Sequence, residues 1–396
     1  MISVDEHLDR VLTTVHVLEP IDLQLLDAHG CVLAADVTSA TAVPAHDIAA
    51  VDGYAVRVGD LRAATPESPV EIPVIGDVSG DAPLLSVQPG LSARITRGSR
   101  VPAGADAVVP TEWTDGGTAR VRVSYRPEAR AFITAAGSDI RAGEVLLRAG
   151  TVLAAGQVGL LAAIGRRSVP AYPRPRVVVV TAGGDDESAR NDATSHALTG
   201  AAIEAGAVGY HVGTVAADAR GFSDTIEDHL IQADVVVVAV GAGRGFSVVN
   251  HVLGQLGTVR FADVAISPGP RQGFGTIGPD ATPIFVVPDD LVGALVSFEV
   301  FVRPTLRRML GARVIARPQI SAAISQRISS VPGRRHFVPV YVERQASGWT
   351  ARLAPGATSA VGALATANAL AVIPDAAADV AAGVAVTTWL LERRGR

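Results

Sequence analysis

Acidic clusters and glycine-rich segments are the parts of this sequence whose residue types and spacing could support chemistry. Asp185, Asp186 and Glu187 are consecutive and directly follow the apolar segment RPRVVVVTAGG. Three neighbouring carboxylates can hold a hard cation such as Mg²⁺, with water completing its coordination shell. The same three residues can instead cap the first turn of a following helix. The sequence leaves both interpretations open.

Glycine-rich or acidic segments also follow other apolar runs. They are GAGRG at residues 241–245, SPGPRQGFG at 267–275 and VVPDDL at 286–291. Glycine lets backbone N–H groups approach an anion closely, and a helix that begins there adds the positive end of its dipole. GAGRG is therefore a candidate cradle for a phosphate or a pterin. Glycine-rich turns between strands and helices also occur for steric reasons alone.

Two further acidic motifs are first of all turn signals. Asp52 and Gly53 in AAVDGYAV are typical of a hairpin turn, and Gly137-Ser138-Asp139-Ile140 also predicts a turn. The nine histidines show no metal-binding spacing. No Ser/His/Asp or Cys/His arrangement can be assembled from the sequence.

The elements that would position these loops are strands and helices that alternate along the chain. From residue 174, compact apolar strands are separated by helix-compatible stretches around 188–205, 219–232 and 246–256, and are followed by another at 290–311. The strands are RPRVVVVTAGG, AGAVGYHVGTV, ADVVVVAVGAG, GTVRFADVAI and ATPIFVV. Apolar strands that alternate with helices predict a parallel sheet covered on both faces. Ligands bind at the carboxyl ends of such strands, where the loops above begin.

The remaining segments predict β structure flanked by helices. Ser3 to Glu6 form a capping box, and apolar residues then recur at helical spacing. The segments EIPVIGDV, SARITRG, DAVVPTEW and TARVRVSY predict an antiparallel β domain, and residues 150–166 predict a second helix. After residue 314, short β segments return and predict a small C-terminal β domain.

Composition excludes several classes of function. All 34 basic residues are arginine, so a Schiff base, a Walker-type phosphate loop and a lysine general base are excluded. A net charge of −5 gives no electrostatic reason to expect nucleic acid or an anionic membrane as partner. Apolar runs are broken before the ~18 residues that a membrane span needs. A single cysteine, Cys31, and a start without a signal pattern predict a cytoplasmic location.

Taken in order, seven segments resemble the molybdopterin molybdenumtransferase family, the MoeA-like proteins that include the gephyrin E domain. They are VDGYAV, ITRGSRVPAGADAVV, GSDIRAGEVLLRAGTVL, VGLLAAIG, ADVVVVAVGAG, ISPGPRQGFG and ALVSFEVFVRPTLRRMLG. Together they cover essentially the whole chain. The resemblance is to a divergent, actinobacterial-type, gephyrin-like member of the family.

The resemblance implies a multidomain fold of α/β plus β structure. Its parts are an elongated linker domain (1–30 with 141–172), a β-rich domain (31–140), a doubly wound α/β domain related to molybdopterin-binding proteins (173–313) and a C-terminal β-barrel domain (314–396). It also implies a homodimer in which the β-rich domain of one subunit faces the α/β domain of the other.

The family reaction is the insertion of molybdate into Mg²⁺-bound, adenylated molybdopterin with release of AMP. The acid of the family's M-D-G-Y-A motif corresponds to Asp52, that of its G-x-D-I motif to Asp139, and the Glu of its T-G-[DN]-E loop to Asp185. The resemblance implies that these three acids are catalytic and hold Mg²⁺. The residues it implies for substrate binding are Arg97, Gly183, Gly241, Gly243, Arg244, Gly245, Gly269 and Arg271.

Several loops depart from the family pattern. The Thr of M-T-G-A-P is Arg97 here, S-G-G-V-S-x-G-x-x-D is shortened to AVGAGRGFS, and K-P-G-K-P reads SPGPR without its lysines. G-L-P-G-N-P has become VPDDL, which places Asp289 and Asp290 where relatives hold an anion at a helix start. A unit charge ~4 Å from a phosphate costs roughly 1 to 4 kcal/mol. We infer that this loop does not bind phosphate or molybdate as in relatives, so the site is partly degraded.

The sequence therefore supports two functions. The first is an enzyme of molybdenum cofactor biosynthesis, in which Arg97, Arg244 and Arg271 replace the missing lysines. The second is a catalytically inactive dimeric scaffold that captures a partner's tail, as gephyrin and actinobacterial relatives do, the bacterial partner being the division protein FtsZ. Gephyrin's tail site corresponds to Asp5, Leu8 and Pro374, although no aromatic anchor surrounds Pro374. An unrelated nucleotide enzyme using GAGRG is disfavoured, because no acidic ribose partner follows.

Overall fold

The computed structural model describes residues 1–80, 85–183, 192–216, 218–241, 243–346, 348–353 and 360–391, without the side chains of Arg244 and Ala360. The chain forms two compact units. The larger unit comprises Met1–Ala34, Gly150–Val158 and Ser168–Arg396, and the smaller unit comprises Ala35–Ala149 and Gly159–Arg167. The division into four domains with the boundaries above remains a prediction.

The larger unit begins with the helix that the capping box predicts. Helix α1 (Val4–Thr14) starts after Ser3, whose hydroxyl accepts a 3.1 Å hydrogen bond from the backbone N–H of Glu6. Val4, His7 and Val11 form its buried face. Two short strands follow, β1 (Ile21–Gln24) and β2 (Val32–Leu33).

The smaller unit is built on a five-stranded sheet with two further strand pairs. The strands of the whole unit are β3 (Val37–Thr38), β4 (Ile48–Ala49), β5 (Gly53–Val56), β6 (Val70–Val78), β7 (Ser92–Ile95), β8 (Ala107–Pro110), β9 (Arg120–Val123), β10 (Ile133–Thr134) and β11 (Val145–Leu147). The sheet order is β8-β5-β7-β6-β9, and two pairs, β3 with β11 and β4 with β10, lie outside it. Short 3₁₀ turns occur at Val58–Leu61 and Thr111–Trp113.

The sequence predicts four of the five strands of this sheet, but not all of their directions. The four predicted segments form β6 to β9. The expectation of an all-antiparallel domain was wrong, because β6 and β7 pair in parallel. Parallel neighbours need a connection that crosses back to the same end of the sheet. Residues 79–91 between these strands are long enough to do so, whereas a tight hairpin is not.

After helix α2 (Ala155–Ala163), the chain enters the α/β part of the larger unit. The strands are β12 (Ser168–Tyr172), β13 (Arg176–Ala182), β14 (Val208–Val215), β15 (Val235–Val240), β16 (Arg260–Asp263), β17 (Ile266–Ser267), β18 (Arg271–Ile277) and β19 (Thr282–Pro288). The helical segments are α3 (Ala193–Glu204), α4 (Ala219–Leu230), α5 (Arg244–Leu256), α6 (Leu291–Ser297), a π-helical segment (Phe298–Val302) and α7 (Arg303–Met309). Strand β12 pairs with both β1 and β2.

The main sheet has the order β14-β13-β15-β19-β18-β16. Its first four strands are parallel, as predicted, and their apolar residues serve two cores. Val177 and Val179 belong to one buried cluster, while Val178 and Val180 belong to another on the opposite face. Because both faces are covered, these strands need no polar alternation.

The other edge of this sheet corrects the sequence prediction. GTVRFADVAI was expected to be a parallel strand and RQGFG part of a loop. Instead, Arg271–Ile277 forms β18, which pairs antiparallel with β19 and with β16. Its sequence alternates glycine with other residues, and glycine is depleted in strands, so propensity gave no strand signal. Gly273 and Gly275 are needed because a Cβ there would lie 2.8 Å from Phe261 and 2.5 Å from Val259.

The C-terminal part of the larger unit is a closed β-barrel. Its elements are β20 (Gln319–Ile324), β21 (Ile328–Ser329), β22 (Arg335–Gln345), β23 (Gly348–Leu353), the short helix α8 (Ala360–Ala363), β24 (Ala369–Ile373), β25 (Asp379–Val380) and β26 (Ala385–Leu390). Five strands close in the order β22-β23-β20-β26-β24, because β22 also pairs with β24. Strand β17 adds to β22 from outside the ring. The fold is therefore the predicted combination of α/β and β structure with a C-terminal barrel.

The barrel and the α/β part share one core in the larger unit. Phe337 and Leu370 of the barrel pack in the same buried cluster as Phe301 and Met309. Beside this core, the carboxylate of Glu299 accepts two 2.8 Å hydrogen bonds from Arg317. In the part of the chain that the structure covers, no helix combines the length and the apolar character needed to cross a membrane.

Candidate functional site

A cleft of about 540 Å³ lies at the carboxyl ends of β15 and β19 in the larger unit. Its walls are Met1, Val240, Gly241, Phe246, Asp263, Pro270, Arg271, Val286, Val287, Pro288 and Arg334. This is the edge of the parallel sheet where ligands bind in α/β proteins. Of the predicted residues, Gly241 and Arg271 line the cleft. Phe246, Asp263 and Arg334 were missed. Phe246 directly follows GAGRG, but nothing in the sequence shows that its ring meets Arg271, and Asp263 and Arg334 belong to no motif.

The start of helix α5 borders this cleft. Gly243 is its N-cap, with φ of 111°, and has no side chain that could accept a hydrogen bond from the first N–H groups of the helix. Gly245 lies in the first turn, and Phe246 one residue later lines the cleft. A helix of this length leaves its first N–H groups without intrahelical acceptors, and these groups attract anions. The side chain of Arg244 lies outside the described part of the chain.

Arg271 supplies positive charge to the same cleft. Its guanidinium carbon lies 4.7 Å from the centre of the Phe246 ring, in a cation–π contact. Its Nε is 4.0 Å from the nearer carboxylate oxygen of Asp263, which is the outer limit of an ion pair. The side chain is 55% exposed. The ring thus orients the guanidinium while leaving it accessible to an oxyanion.

The SPGPR loop is held by close packing and a buried amide. Gly269 has φ of +77°, and a Cβ there would lie 2.8 Å from the ring of Pro288. The buried side-chain amide of Gln272 donates to the carbonyl oxygen of Gly269 at 2.6 Å and to the hydroxyl of Ser297 at 2.8 Å. Gly269 is therefore needed for the shape of the loop. Gln272 was not singled out from the sequence, because its segment was expected to be a loop and carried no strand signal.

The acidic VPDD loop occupies the start of helix α6. The carboxylate of Asp290 accepts a 2.7 Å hydrogen bond from the backbone N–H of Gly293 and caps the helix. Asp289 as a residue is exposed, yet its carboxyl group lies against protein atoms, and this desolvation raises its pKa. The hydroxyl of Thr194 opposes that effect, while the charges of Asp192 and Asp290 add to the rise in pKa.

Asp192 was also missed from the sequence and organises the start of helix α3. Its carboxylate accepts hydrogen bonds of 2.9 Å from Thr181, 3.0 Å from the backbone N–H of Ser195 and 3.0 Å from Thr214. Burial would raise the pKa of Asp192, but the bonds to the ionised form outweigh it and lower the pKa. Asp192 is thus the N-cap of α3. Residues 185–187, for which the sequence left a helix cap and a Mg²⁺ site both open, lie outside the described residues.

The predicted Mg²⁺ ligands do not form a cluster among the described residues. Asp52 and Asp139 lie in the smaller unit, and Asp185 lies outside the described residues. Within the described ranges, no group of three His, Cys, Asp or Glu side chains could hold a metal ion. Gly183 follows β13 with φ of +96°, and its N–H bonds the carbonyl oxygen of Val215 at 3.0 Å.

Asp52 and Arg97 are neighbours in the smaller unit. The carboxylate of Asp52 accepts a 2.7 Å hydrogen bond from the backbone N–H of Arg97, and both residues are exposed. The predicted hairpin turn at Asp52-Gly53 was wrong, because Gly53 begins β5. Glycine is required there since a Cβ would overlap the carbonyl oxygen of Val109. Ser138 N–H bonds the carbonyl oxygen of Ala135, so the hydrogen-bonded turn spans residues 135–138 and ends just before Asp139, two residues earlier than predicted.

The residues predicted to bind a partner tail have structural contacts of their own. Both carboxylate oxygens of Asp5 are bonded by Arg335, at 2.8 and 2.7 Å. This bond lowers the pKa of Asp5. Leu8 packs against the main core, and Pro374 is exposed at the end of β24. Because Ile373 pairs with His336, next to Arg335, Pro374 and Asp5 lie in one region of the larger unit.

Comparisons with known proteins agree with this architecture. The family model of the MoeA N-terminal region (domain I and II) matches residues 2–165, and that of the MoeA C-terminal region (domain IV) matches residues 321–391. Molybdopterin molybdenumtransferase 1 of Mycobacterium tuberculosis is 37% identical over 430 residues and covers 100% of both chains. Molybdopterin molybdenumtransferase 2 of the same organism is 35% identical, over 98% of this chain and 99% of that protein.

A solved structure extends the similarity to three dimensions. The molybdopterin biosynthesis MoeA protein from Pyrococcus horikoshii superposes with a TM-score of 0.81 and 28% identity, over 99% of this chain and 100% of that one. The α/β sheet, the closed barrel and the full-length sequence similarity together define the class. This chain belongs to the molybdopterin molybdenumtransferase (MoeA) family.

Proposed function

We propose that this protein acts in molybdenum cofactor biosynthesis, inserting molybdate into adenylated molybdopterin and releasing AMP. The observation that carries the proposal is the cleft where the first turn of α5 and the guanidinium of Arg271 meet at the edge of the parallel sheet. Family membership and the names of the two mycobacterial relatives support it. We also propose a cytoplasmic location, which suits the single cysteine.

Molybdate and the phosphate of the adenylate are oxyanions, so the site must supply N–H donors and positive charge. The backbone at Gly243 and Gly245 offers donors at the helix start. Arg271 and Arg334 add planar guanidinium groups, which bind oxyanions through paired hydrogen bonds. These residues would hold and orient the anionic groups in a chain that has no lysine.

Mg²⁺ dependence remains a prediction. The described residues of one chain do not gather a set of ligands for it, and one oxygen of Asp52 is already bonded by the Arg97 N–H. We therefore derive no step through a metal from these residues. When bound, Mg²⁺ would neutralise charge on the phosphate groups of the substrate.

We further propose a homodimer with shared sites, in which the smaller unit of one subunit supplies Asp52 to the cleft in its partner's larger unit. Mixed dimers test this directly. Co-expressed Asp52→Ala and Arg271→Ala chains would regain one intact site per mixed dimer and recover activity that neither variant has alone. Absence of any recovery, with mixed dimers demonstrated by two affinity tags, would contradict a shared site.

The main test is complementation of a molybdenumtransferase-deficient strain, scored by the activity of a molybdoenzyme. The unmodified chain should restore activity, and Arg271→Ala and Asp52→Ala should abolish the rescue. Arg352→Ala is a matched control, because Arg352 also lies 4.7 Å from an aromatic ring, that of Tyr341, but in the barrel. A chain that fails to complement although it is expressed and folded would refute the enzymatic proposal.

A second candidate function is a catalytically inactive, gephyrin-like scaffold. The observation that favours it is Asp290, whose carboxylate occupies the helix start that would otherwise be open to an anion. Its partner would be a protein tail such as that of FtsZ, bound near Asp5, Leu8 and Pro374. Binding of a labelled FtsZ tail, lost in Leu8→Asp but kept in Arg271→Ala, would support the scaffold. Failure to recover the tail would count against it.

A further inference from the structure

An aromatic cluster in the smaller unit stands out in a protein with only 4% aromatic residues. The ring of Trp113 lies 5.5 Å from that of Tyr125 and 5.4 Å from that of Phe132, measured between centroids. Tyr125 is 47% exposed, and the other two rings are half-buried. We call these three residues the aromatic platform.

The backbone places the platform beside Asp52. The N–H of Thr111, which begins the 3₁₀ turn carrying Trp113, donates to the carbonyl oxygen of Asp52 at 3.2 Å. On the other side, the N–H of Ala50 donates to the carbonyl oxygen of Phe132 at 2.9 Å. The platform therefore flanks the loop that precedes β5, the loop on which the proposed function depends.

The platform packs against the interior of the smaller unit. Trp113 packs against one buried cluster of that unit and Phe132 against another. The backbone N–H of Ser124 also bonds the carbonyl oxygen of Trp113 at 2.9 Å, which fixes the segment leading to Tyr125. Aromatic rings held in this way lose little freedom when a flat ligand stacks on them.

The loop that contains Phe132 has two residues with an unusual, positive φ angle. Phe132 has φ of 54° and Arg130 φ of 66°, in the left-handed region that bulky residues rarely adopt. Arg130 is held there by its ion pair with Asp47 at 2.9 Å and by its N–H bond to the carbonyl oxygen of Asp106 at 2.7 Å. Strained backbone persists where its surroundings impose it and often accompanies a binding site. The loop is therefore held in a conformation that brings Phe132 against Trp113.

We infer that the platform of Trp113, Tyr125 and Phe132 binds the purine base of the adenylated substrate by stacking. This inference rests on the proposed function, because it names where the adenine would lie. The rings of Tyr125 and Phe132 are inclined to that of Trp113 by 53° and 87°, so the exposed ring of Tyr125 is the one that offers its face. Adenine is flat and aromatic, and stacking on that ring needs no base-specific hydrogen bonds. In the proposed dimer, the phosphate would then be held by the cleft of the partner's larger unit.

Calorimetric titration of the full chain with AMP tests the inference, with ribose 5-phosphate as the ligand that lacks the base. We expect Tyr125→Leu to raise the Kd for AMP about tenfold, as loss of one stacked ring does elsewhere. Tyr125→Phe keeps the ring and should bind AMP as the unmodified chain does. The affinity for ribose 5-phosphate should not change in either variant.

The matched control is Tyr341→Leu, which removes a half-buried tyrosine of the barrel. Equal AMP affinity in Tyr125→Leu and the unmodified chain would overturn the inference, as would an equal loss for ribose 5-phosphate or no AMP binding at all. Complementation separates this from the proposed function. If the chain complements but Tyr125→Leu binds AMP normally, only the platform fails. If the chain does not complement but AMP binding depends on Tyr125, only the enzymatic proposal fails.

Discussion

The carboxylate of Asp290 accepts a 2.7 Å hydrogen bond from the backbone N–H of Gly293. Helix α6 is therefore capped by the protein's own negative charge. A second charge of the same sign follows from Asp289, the preceding residue. An incoming oxyanion would meet repulsion at this point and attraction at the start of α5, where Gly243 offers no competing side chain. The two helix starts at one edge of the sheet thus have opposite electrostatic character.

Removing the charge of Asp290 while keeping its cap should favour anion binding. Asp290→Asn retains a side-chain oxygen for the Gly293 N–H, so the helix is preserved. We expect tighter binding of AMP in calorimetry, by at least severalfold at low ionic strength. Asp218→Asn is the control. Asp218 caps α4 by accepting a 2.8 Å hydrogen bond from the N–H of Gly221, but unlike Asp290 it does not follow a strand whose end lines the cleft. Equal gains in AMP affinity in both variants would show that the change in net charge, and not the position of Asp290, is responsible.

The cap itself should contribute to stability. Asp290→Ala removes the acceptor of the Gly293 N–H and should lower the free energy of unfolding by about 1 kcal/mol. Urea unfolding followed by circular dichroism measures this. Asp290→Ser can also cap the helix and should have nearly the same free energy of unfolding as the unmodified protein. An equal loss of stability in both variants would contradict the role of the cap.

Asp289 should make stability depend on pH in a defined direction. Its folded-state pKa is raised by desolvation of its carboxyl group. The folded state therefore favours the protonated form, and the contribution of Asp289 to stability falls as pH rises above its unfolded pKa. Asp289→Asn should be more stable than the unmodified protein at pH 7, with a smaller difference at pH 4. A difference that is the same at both pH values would contradict this interpretation.

His7 should make stability depend on pH in the opposite direction, with stability falling as the pH decreases. It is buried on α1, its ring 4.8 Å from that of Phe301, and burial with the nearby charge of Arg10 lowers its pKa from 6.5 to about 4. As the pH is lowered, this histidine takes up a proton at a higher pH in the unfolded chain than in the folded one. The free energy of unfolding therefore falls as pH decreases from 6.5 towards 4, by at most about 3 kcal/mol. His7→Phe should remove this part of the acid sensitivity in urea titrations, whereas His16→Gln at an exposed position should not.

The buried ion pair of Glu299 and Arg317 should be costly to break. Their side chains are only 11% and 5% exposed, and Arg303, which is 6% exposed, lies 3.9 Å from the same carboxylate. Glu299→Gln therefore removes a negative charge that faces two buried guanidinium groups. We expect a loss of about 3 to 5 kcal/mol in the free energy of unfolding. Asp77→Asn breaks the exposed pair with Arg94 and should cost less than about 1 kcal/mol. Similar losses in the two variants would contradict the role of burial.

The sequence predicted most elements of the fold because their signals are local. The capping box at Ser3 and the helical spacing after it correspond to α1, and the valine-rich runs correspond to β13 and β15. Strand β18 was missed because glycine there is required by neighbouring strands and side chains, and those neighbours are distant in sequence. The parallel pairing of β6 with β7 was missed for a similar reason, since direction depends on the path of the connection.

The site was only partly accessible from the sequence. Gly241 and Arg271 could be identified from loops that follow apolar runs, and both line the cleft. Phe246 and Gln272 could not, because their roles depend on contacts with Arg271 and Ser297 respectively. The platform of Trp113, Tyr125 and Phe132 is likewise assembled by tertiary contacts between separate segments.

The sequence by itself determined the class of fold, the absence of lysine chemistry and the acidic character of the loop before α6, because each depends on residue types or short-range patterns. Only the tertiary structure decided that Asp290 caps its own helix, that Arg271 rests on Phe246 beside a helix whose N-cap is glycine, and that three aromatic rings meet near Asp52. Those contacts join residues from different segments of the chain. The interactions stabilise the protein only when folding brings the groups within contact distance.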